Sequence, residues 1–184
     1  KGEMSLMRYV EPTRVKGNAL LMKDFSDKIW MFNKRTKRTR MLASSAKKQK
    51  FEGSDFSYED MGSGDSWKED YLPSNKGIKK INKEDCYEVE LIPTLASNIS
   101  YSKLVCYMRV KDVFPVRFDY YDEKGELLKM LHLENIKDIQ GVLTPMVMRM
   151  ENVLDKTETI MEYINIDYSV KLKESFFNER NLGR

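Results

Sequence analysis

Apolar and polar residues alternate along much of this chain, and turn residues interrupt the alternation at short intervals. Residues 87–91 are Tyr-Glu-Val-Glu-Leu, and residues 116–120 are Val-Arg-Phe-Asp-Tyr. Because successive side chains of a β-strand point to opposite faces, a period of two predicts strands that bury one face. Asp-Glu-Lys-Gly at 122–125 is typical of a hairpin turn, with its glycine at a position of positive φ. The chain is therefore predicted to be mainly β, with an antiparallel sheet of many strands.

The last predicted hairpin has the clearest apolar face. Its first strand places three methionines two residues apart and therefore on one face: Met146, Met148 and Met150. Its partner strand is predicted to present a second apolar face, formed by Ile160, Ile164, Ile166 and Tyr168. Helical pattern is confined to residues 44–50, 56–62 and 67–71. A sheet with so few helices must cover its apolar face by forming a sandwich, a barrel or a plugged half-barrel.

The length of the chain predicts one domain over residues 1–184, large enough to bury a real core. With 41% hydrophobic and 33% charged residues, the composition excludes a disordered or membrane-spanning chain, and no apolar run approaches 18 residues. The chain begins at Lys1 just before a predicted strand from Met4 to Val10. We therefore expect a processed or truncated start, with any targeting sequence in the missing segment.

Charge is distributed unevenly along the chain. Residues 1–50 contain 14 Lys+Arg and 4 Asp+Glu (+10), and residues 51–184 contain 18 and 25 (−7), which sum to the net +3. The strongest basic cluster lies in a predicted hairpin and consists of Lys34, Arg35, Lys37, Arg38 and Arg40. Such a patch predicts contact with phosphates, anionic lipid headgroups or an acidic partner, and a solvated hairpin tip is the alternative. Nucleic acid is not expected as a partner, because most of the chain is acidic.

Residues for catalysis or metal binding are scarce. The sequence contains no G-x-S-x-G, no H-E-x-x-H and no phosphate-binding glycine loop, and its single histidine is His132. We therefore expect no enzyme activity, no cofactor and no metal site. Cys86 and Cys106 lack C-x-x-C spacing, so the sequence leaves open one disulfide between neighbouring strands or two ordinary thiols.

The composition suits a protein that binds an apolar ligand better than it suits an enzyme. Twelve methionines are present, and their flexible side chains suit surfaces that accept variable apolar shapes. The face of Met146, Met148 and Met150 and the face of Phe118 and Tyr120 are candidates to line a cavity of the kind that curled sheets enclose. An ordinary core is the alternative. The residues by themselves therefore predict an antiparallel β domain and leave lipid binding open.

Several blocks of the sequence resemble a bacterial family. Residues 53–61, Gly-Ser-Asp-Phe-Ser-Tyr-Glu-Asp-Met, are similar to the signature of outer membrane lipoprotein-sorting proteins, relatives of the periplasmic carrier LolA. Four further blocks resemble the family in order along the chain: 5–12 with 16–22, 29–32 with Arg35, Arg38 and Arg40, 115–122 with Gly125, and 144–146 with 150–152. Tyr107 stands where these proteins often carry tryptophan, and the segment that usually precedes the first block is absent.

The resemblance implies a LolA-like fold, a strongly curved antiparallel sheet that forms an incomplete barrel with short helices on its concave side. It implies a monomeric, periplasmic carrier of lipid or lipoprotein acyl chains, with an inner- or outer-membrane protein as a possible partner. The cavity lining is then predicted to be Trp30, Phe32, Phe118, Tyr120, Met146, Met148 and Met150. The lid or cavity edge is predicted to be Phe56, Tyr58 and Met61, continued by residues 62–66, and the basic hairpin is predicted to meet headgroups or a partner.

Two other functions remain open for a chain of this family. One is an envelope sensor or regulatory module that binds lipid or protein without transporting it. The other is an enzyme acting on lipid, which requires a cluster of polar residues deep in the cavity, and the sequence offers no such cluster.

Overall fold

Nearly all the regular structure of this chain is antiparallel β-sheet. The computed structural model describes residues 4–63, 67–95 and 97–183, with only the backbone described at 67 and 68. Within these ranges the helices are short: α1 is Tyr58–Gly62, α2 is Trp67–Asp70, and four 3₁₀ turns accompany them. The strands are β1 Met4–Arg8, β2 Ala19–Lys23, β3 Lys28–Asn33, β4 Arg38–Met41, β5 Tyr71–Ile81, β6 Glu84–Pro93, β7 Lys103–Arg109, β8 Pro115–Tyr121, β9 Leu127–Ile139, β10 Val142–Asn152 and β11 Thr157–Glu162.

The chain divides into two compact units, each with its own sheet. Residues 1–66 and 171–184 form the four-stranded unit, with strand order β1-β2-β3-β4. Residues 67–170 form the seven-stranded unit, with order β11-β10-β9-β8-β7-β6-β5. Every neighbouring pair is antiparallel and consecutive in sequence, so each sheet is a meander of hairpins. The prediction of a single domain over 1–184 stays a prediction.

Strand β2 is the centre of the four-stranded unit and is buried on both faces. Leu20 and Leu21 are each fully buried, and because they are adjacent they point to opposite faces. One face holds the cluster of Ala19, Leu21, Phe177 and Leu182, which we call the C-terminal cluster. The other face holds the cluster of Leu20, Met22, Ile29 and Tyr58, which we call the α1 cluster. The C-terminal segment therefore packs on the sheet through Phe177 and Leu182, whereas Phe176 is exposed.

Helix α1 begins with a capping box. The Ser57 hydroxyl accepts a hydrogen bond from the Asp60 amide at 3.1 Å, and the Asp60 carboxylate accepts one from the Ser57 amide at 2.6 Å. These bonds satisfy amide groups that a helix start otherwise leaves without partners. The helical pattern predicted over residues 56–62 is therefore observed from Tyr58, and the 3₁₀ turn Phe51–Gly53 precedes it as a separate element.

The seven-stranded sheet is open, because its edge strands β5 and β11 pair only with β6 and β10. The predicted hairpin at 122–125 joins β8 to β9, and Gly125 has the expected positive φ of 81°. Strand β11 ends at Glu162, so the predicted continuation through Ile164, Ile166 and Tyr168 is wrong. Ile164 is almost completely exposed, and no neighbouring strand pairs with it.

Both cysteines are free and buried. In the register of β6 and β7, Val89 lies opposite Cys106, whereas Cys86 lies opposite Arg109. The alternation of side chains therefore puts the two thiols on opposite faces of the sheet, a geometry that excludes a disulfide without backbone movement. Burial raises the pKa of the Cys106 thiol to about 12, so the thiol stays protonated and unreactive at neutral pH.

Candidate functional site

Five of the predicted lining residues lie on one face of the seven-stranded sheet. Phe118 lies opposite Leu131, and Leu131 lies opposite Met150 on the next strand. Met148 lies opposite Leu133, and residues directly opposite each other share a face. Tyr120 and Met146 follow by their two-residue spacing from Phe118 and Met148. We call this surface the methionine face and define it by Phe118, Tyr120, Leu131, Leu133, Met146, Met148, Met150 and Met161.

Burial varies across the methionine face. Met150 is fully buried, and Met146 and Tyr120 are each 8% exposed. Met148 and Phe118 are half-buried, and the Met148 sulfur accepts a weak hydrogen bond from the Tyr163 hydroxyl at 3.7 Å. Two kinds of position are therefore present, and substitutions at the half-buried ones are better suited to testing function without unfolding the protein.

Lys129 is a residue of this face that the sequence analysis missed. It lies opposite Tyr120 and opposite Asn152, and it is only 5% exposed. Its ammonium lies 5.1 Å from the ring centre of Tyr101 and 5.3 Å from that of Tyr120. Such cation–π contacts offset part of the free energy of burying a charge. The signal in the sequence was a lysine at an apolar position of the alternation in Leu127–Leu133.

The opposite face of the same sheet is charged. The Arg117 guanidinium donates two hydrogen bonds to the Asp119 carboxylate, the second at 2.9 Å. Arg149 donates two to Glu134, at 3.1 and 2.8 Å. The Arg117–Asp119 pair is bidentate, which fixes the orientation of both side chains, whereas Arg149 places two donors on a single Glu134 oxygen. The same face also holds the buried apolar cluster of Cys86, Val105 and Tyr107, because Tyr107 lies opposite Arg117 and Val105 opposite Asp119. The two faces therefore differ in that this one embeds ion pairs among its apolar residues.

His132 lies among these ion pairs. Burial, followed by the positive charges of Arg149 and Arg117, lowers the pKa of His132 below its ordinary value of 6.5. Its Nε2 atom has no hydrogen-bond partner within the described ranges, and the nearest Glu151 oxygen is 3.7 Å away. The arrangement favours a neutral, structural imidazole, in agreement with the scarcity of catalytic residues in the sequence.

We expect His132 to make the folded protein less stable as the pH falls. Below about pH 6.5 the unfolded chain binds a proton at this residue more readily than the folded one does, so protonation favours unfolding. The measurement is urea unfolding of the wild type and of His132→Gln at about pH 8 and about pH 5.5. The decrease in unfolding free energy between these pH values should be smaller in the variant; an equal decrease would contradict the assignment.

The predicted lining and lid residues of the four-stranded unit lie on two different faces. Trp30 and Phe32 pack on the C-terminal cluster, whereas Tyr58 and Met61 belong to the α1 cluster on the other face. Phe56 is buried at 3% exposure. Their roles as lining and lid stay predictions. The predicted continuation of the lid includes residues 64–66, which lie outside the described residues.

The basic hairpin forms as predicted. Strands β3 and β4 pair from Trp30 opposite Met41 to Asn33 opposite Arg38, and residues 34–37 make the turn. The Asn33 side-chain oxygen accepts hydrogen bonds from the amide and the hydroxyl of Thr36. All five predicted cationic residues are exposed: Lys34, Arg35, Lys37, Arg38 and Arg40.

Comparison with known proteins places this architecture in a family. A family model matches residues 1–184, and its description reads "-like: Uncharacterized protein". A domain from Vibrio parahaemolyticus, titled as an outer membrane lipoprotein-sorting protein domain, is 29% identical with a TM-score of 0.88, over 98% of this chain and 77% of that one. A DUF1329 family protein from Desulfovibrio piger is 27% identical with a TM-score of 0.90, over 97% and 76%. The chain belongs to a LolA-like family.

A third solved structure agrees on the fold. A LolA superfamily protein from Nitrosomonas europaea is 24% identical with a TM-score of 0.78, over 96% of this chain and 77% of that one. The predicted LolA-like fold, an open, curved antiparallel sheet with few helices, is therefore confirmed. A search of curated proteins returns no match.

Over the described parts of the chain, no three side chains of the types His, Cys, Asp or Glu are grouped closely enough to hold a metal ion. No helix in the same parts has the length and apolarity needed to cross a membrane.

Proposed function

We propose that this LolA-like protein is a periplasmic carrier that holds the acyl chains of lipids or lipoproteins against its methionine face. One observation carries the proposal: five lining residues predicted from the sequence occupy one face of the seven-stranded sheet. Its thioether side chains adapt to acyl chains of different length and branching. The family to which the chain belongs, with a relative titled as a lipoprotein-sorting domain, supports the same function.

The physical requirement for such a carrier is apolar surface rather than a catalyst. Each CH₂ group of an acyl chain that leaves water contributes about 0.8 kcal/mol. An acyl chain therefore crosses an aqueous compartment only against an apolar surface of the kind that the methionine face presents. The basic hairpin of Lys34–Arg40 supplies, in this proposal, the contact with anionic headgroups or with a membrane-protein partner.

The first test is native mass spectrometry of the purified protein, followed by organic extraction and identification of the extracted lipids. Acyl species that copurify and that transfer to acceptor vesicles would support the carrier. A protein that arrives without ligand and ignores added fluorescent fatty acids would contradict it. Bound lipid that never transfers but changes the affinity for a protein partner would favour the sensor.

Polar substitution of two half-buried methionines should abolish most of the binding. Met148 and Met161 lie opposite each other on β10 and β11, so Met148→Gln with Met161→Gln places two amides side by side on the methionine face. We expect the Kd for a fluorescent fatty acid to rise at least about tenfold, because the ligand loses apolar contact at both positions. Fluorescence titration measures the change.

The matched control is Ile160→Gln, which changes the residue next to Met161. Ile160 lies opposite Arg149, on the charged face, and is 53% exposed. Its substitution should leave the Kd unchanged. Equal binding by the double variant and the wild type, with both folded by circular dichroism, would exclude the methionine face as the acyl site.

A further inference from the structure

The four-stranded unit contains a cavity whose lining includes three residues of the predicted sites, Phe32, Lys34 and Lys37, together with residues that the sequence did not predict. Its volume is about 730 Å³, within the range of about 300–1,000 Å³ that is usual for small-molecule sites. Strand β1, the β3–β4 turn and the C-terminal segment contribute to its wall. The lining residues are Arg8, Tyr9, Val10, Lys16, Gly17, Phe32, Lys34, Lys37, Leu182 and Gly183.

The charged groups of this lining are all positive. None of the described lining residues carries a carboxylate, and in the described parts of the chain no ion pair involves Lys16, Lys34 or Lys37. The three ammonium groups therefore raise the local concentration of anions without an internal counter-charge. Tyr9 also reaches the cavity, and its hydroxyl donates to the Glu52 carboxylate at 3.1 Å, outside the lining.

Backbone geometry holds one of these lysines across the cavity. Gly17 has a φ of 84°, and a side-chain carbon there would overlap the aliphatic stem of Lys34. The stem therefore lies directly on the glycine backbone, a close approach that needs a residue without Cβ. The Lys34 amide donates to the Asn18 side-chain oxygen at 3.0 Å, which ties the β3–β4 turn to the segment before β2. This bond fixes the Lys34 backbone beside the cavity, and the absence of a Cβ at Gly17 leaves room for the Lys34 stem.

The remaining wall combines Arg8 with apolar side chains. Arg8 donates hydrogen bonds to the backbone carbonyls of Asn181 and Leu182, and these bonds hold the C-terminal turn in place. Because both acceptors are uncharged, they do not neutralise the positive charge of Arg8. The Phe32 ring lies against Gly183, where an added Cβ would be 3.1 Å from the ring. With Val10 beside Phe32, cationic and apolar groups meet in one cavity.

We propose that this cavity binds the phosphate monoester head of an anionic amphiphile, with the start of its alkyl chain against Phe32 and Val10. A phosphate monoester carries about 1.5 to 2 negative charges at neutral pH and so matches three ammonium groups better than a carboxylate does. This inference rests on the proposed role of the basic hairpin and narrows it. Lys34 and Lys37 contact the head in a defined site, whereas Arg38 and Arg40 contribute only a general attraction.

The test compares two charge-matched variants of the hairpin by isothermal titration calorimetry with decyl phosphate below its critical micelle concentration. Lys34→Gln with Lys37→Gln should raise the Kd at least about tenfold, since hydrogen bonds to charged groups are lost. Arg38→Gln with Arg40→Gln removes the same charge from the same hairpin outside the lining and should change the Kd less than about threefold. Equal effects of the two pairs would overturn the site.

Two further ligands separate the parts of the proposed recognition. Decyl maltoside carries the same chain on an uncharged head, and inorganic phosphate carries the charge without a chain. Both should bind much more weakly than decyl phosphate. Equal binding of the maltoside would overturn the anion site, and equal binding of inorganic phosphate would overturn the assignment of a lipid head in favour of free phosphate.

Vesicles distinguish failure of this site from failure of the proposed function. Both hairpin variants should bind vesicles of phosphatidylglycerol and phosphatidylcholine less than the wild type does, because both lower the positive charge. If both double variants lose vesicle binding but bind decyl phosphate as the wild type does, the general role of the hairpin is supported. The same result would overturn the proposal that the cavity binds the phosphate head. Fatty acid uptake by the methionine face should be the same in all these variants.

Discussion

Replacing Leu21 with alanine is expected to lower the free energy of unfolding by about 2–5 kcal/mol, the usual range for a fully buried leucine. Leu21 is 0% exposed and packs in the C-terminal cluster with Phe177 and Leu182. The substitution removes apolar contact and leaves a cavity between strand β2 and the C-terminal turn. Urea unfolding, followed by circular dichroism, measures the loss.

Leu20→Ala is the matched control, because it tests whether the effect is specific to the face of β2 that carries the C-terminal cluster. Leu20 is equally buried but packs in the α1 cluster, on the other face of the same strand. Both variants should lose similar stability, but only Leu21→Ala should speed hydrogen exchange in residues 176–182. Faster exchange of this segment in both variants, beyond what global unfolding explains, would contradict the separation of the two clusters.

Removing the Asp119 carboxylate should have an effect of similar size in the other unit. Asp119 is 3% exposed and accepts two hydrogen bonds from the Arg117 guanidinium, whose third bond goes to the Met130 sulfur. In Asp119→Ala the largely buried guanidinium loses its counter-charge, and we expect a loss of about 3 kcal/mol. That value lies at the low end for buried pairs, because the Arg117 side chain is still 24% exposed. Chemical unfolding of the two proteins measures the difference.

The control for this prediction removes the pair as a whole. Arg117→Met with Asp119→Leu replaces both charges by apolar groups of similar size, so no buried charge is left without a partner. Its stability should return to within about 1 kcal/mol of the wild type. If the double variant is as unstable as Asp119→Ala, the loss comes from packing rather than from the unpaired guanidinium.

Local patterns predicted the hairpins of this fold well. Gly125 predicted the β8–β9 turn, and the polar stretch after Phe32 predicted the basic hairpin. Both predictions succeed because the conformation of a turn depends on the residues within it. The sharing of one face by Met146, Met148 and Met150 followed from strand alternation alone. These features need no knowledge of distant contacts, which is why a single sequence suffices for them.

Features that depend on distant contacts were missed. Strand β5 has no apolar alternation: Leu72 and Ile78 are both exposed, Pro73 and Gly77 interrupt it, and it is an edge strand, where such residues are tolerated. The four apolar residues 19–22 gave no period, because β2 is covered on both faces. Lys129 is a charged residue at a position where strand alternation predicts an apolar one. Its burial depends on Tyr101 and Tyr120, which lie in other segments. In each case the deciding partner lies elsewhere in the chain.

The bond from Arg8 to the carbonyl of Leu182 joins residues that are 174 positions apart. The C-terminal cluster therefore stays incomplete during synthesis until Phe177 and Leu182 have been made. Both sheets are meanders whose hairpins join neighbouring strands, so their loop-closure entropy is low. The packing of the C-terminal turn, in contrast, is long-range. We expect a ribosome stalled before Phe177 to hold a nascent chain whose first four strands are paired while Leu21 is still uncovered.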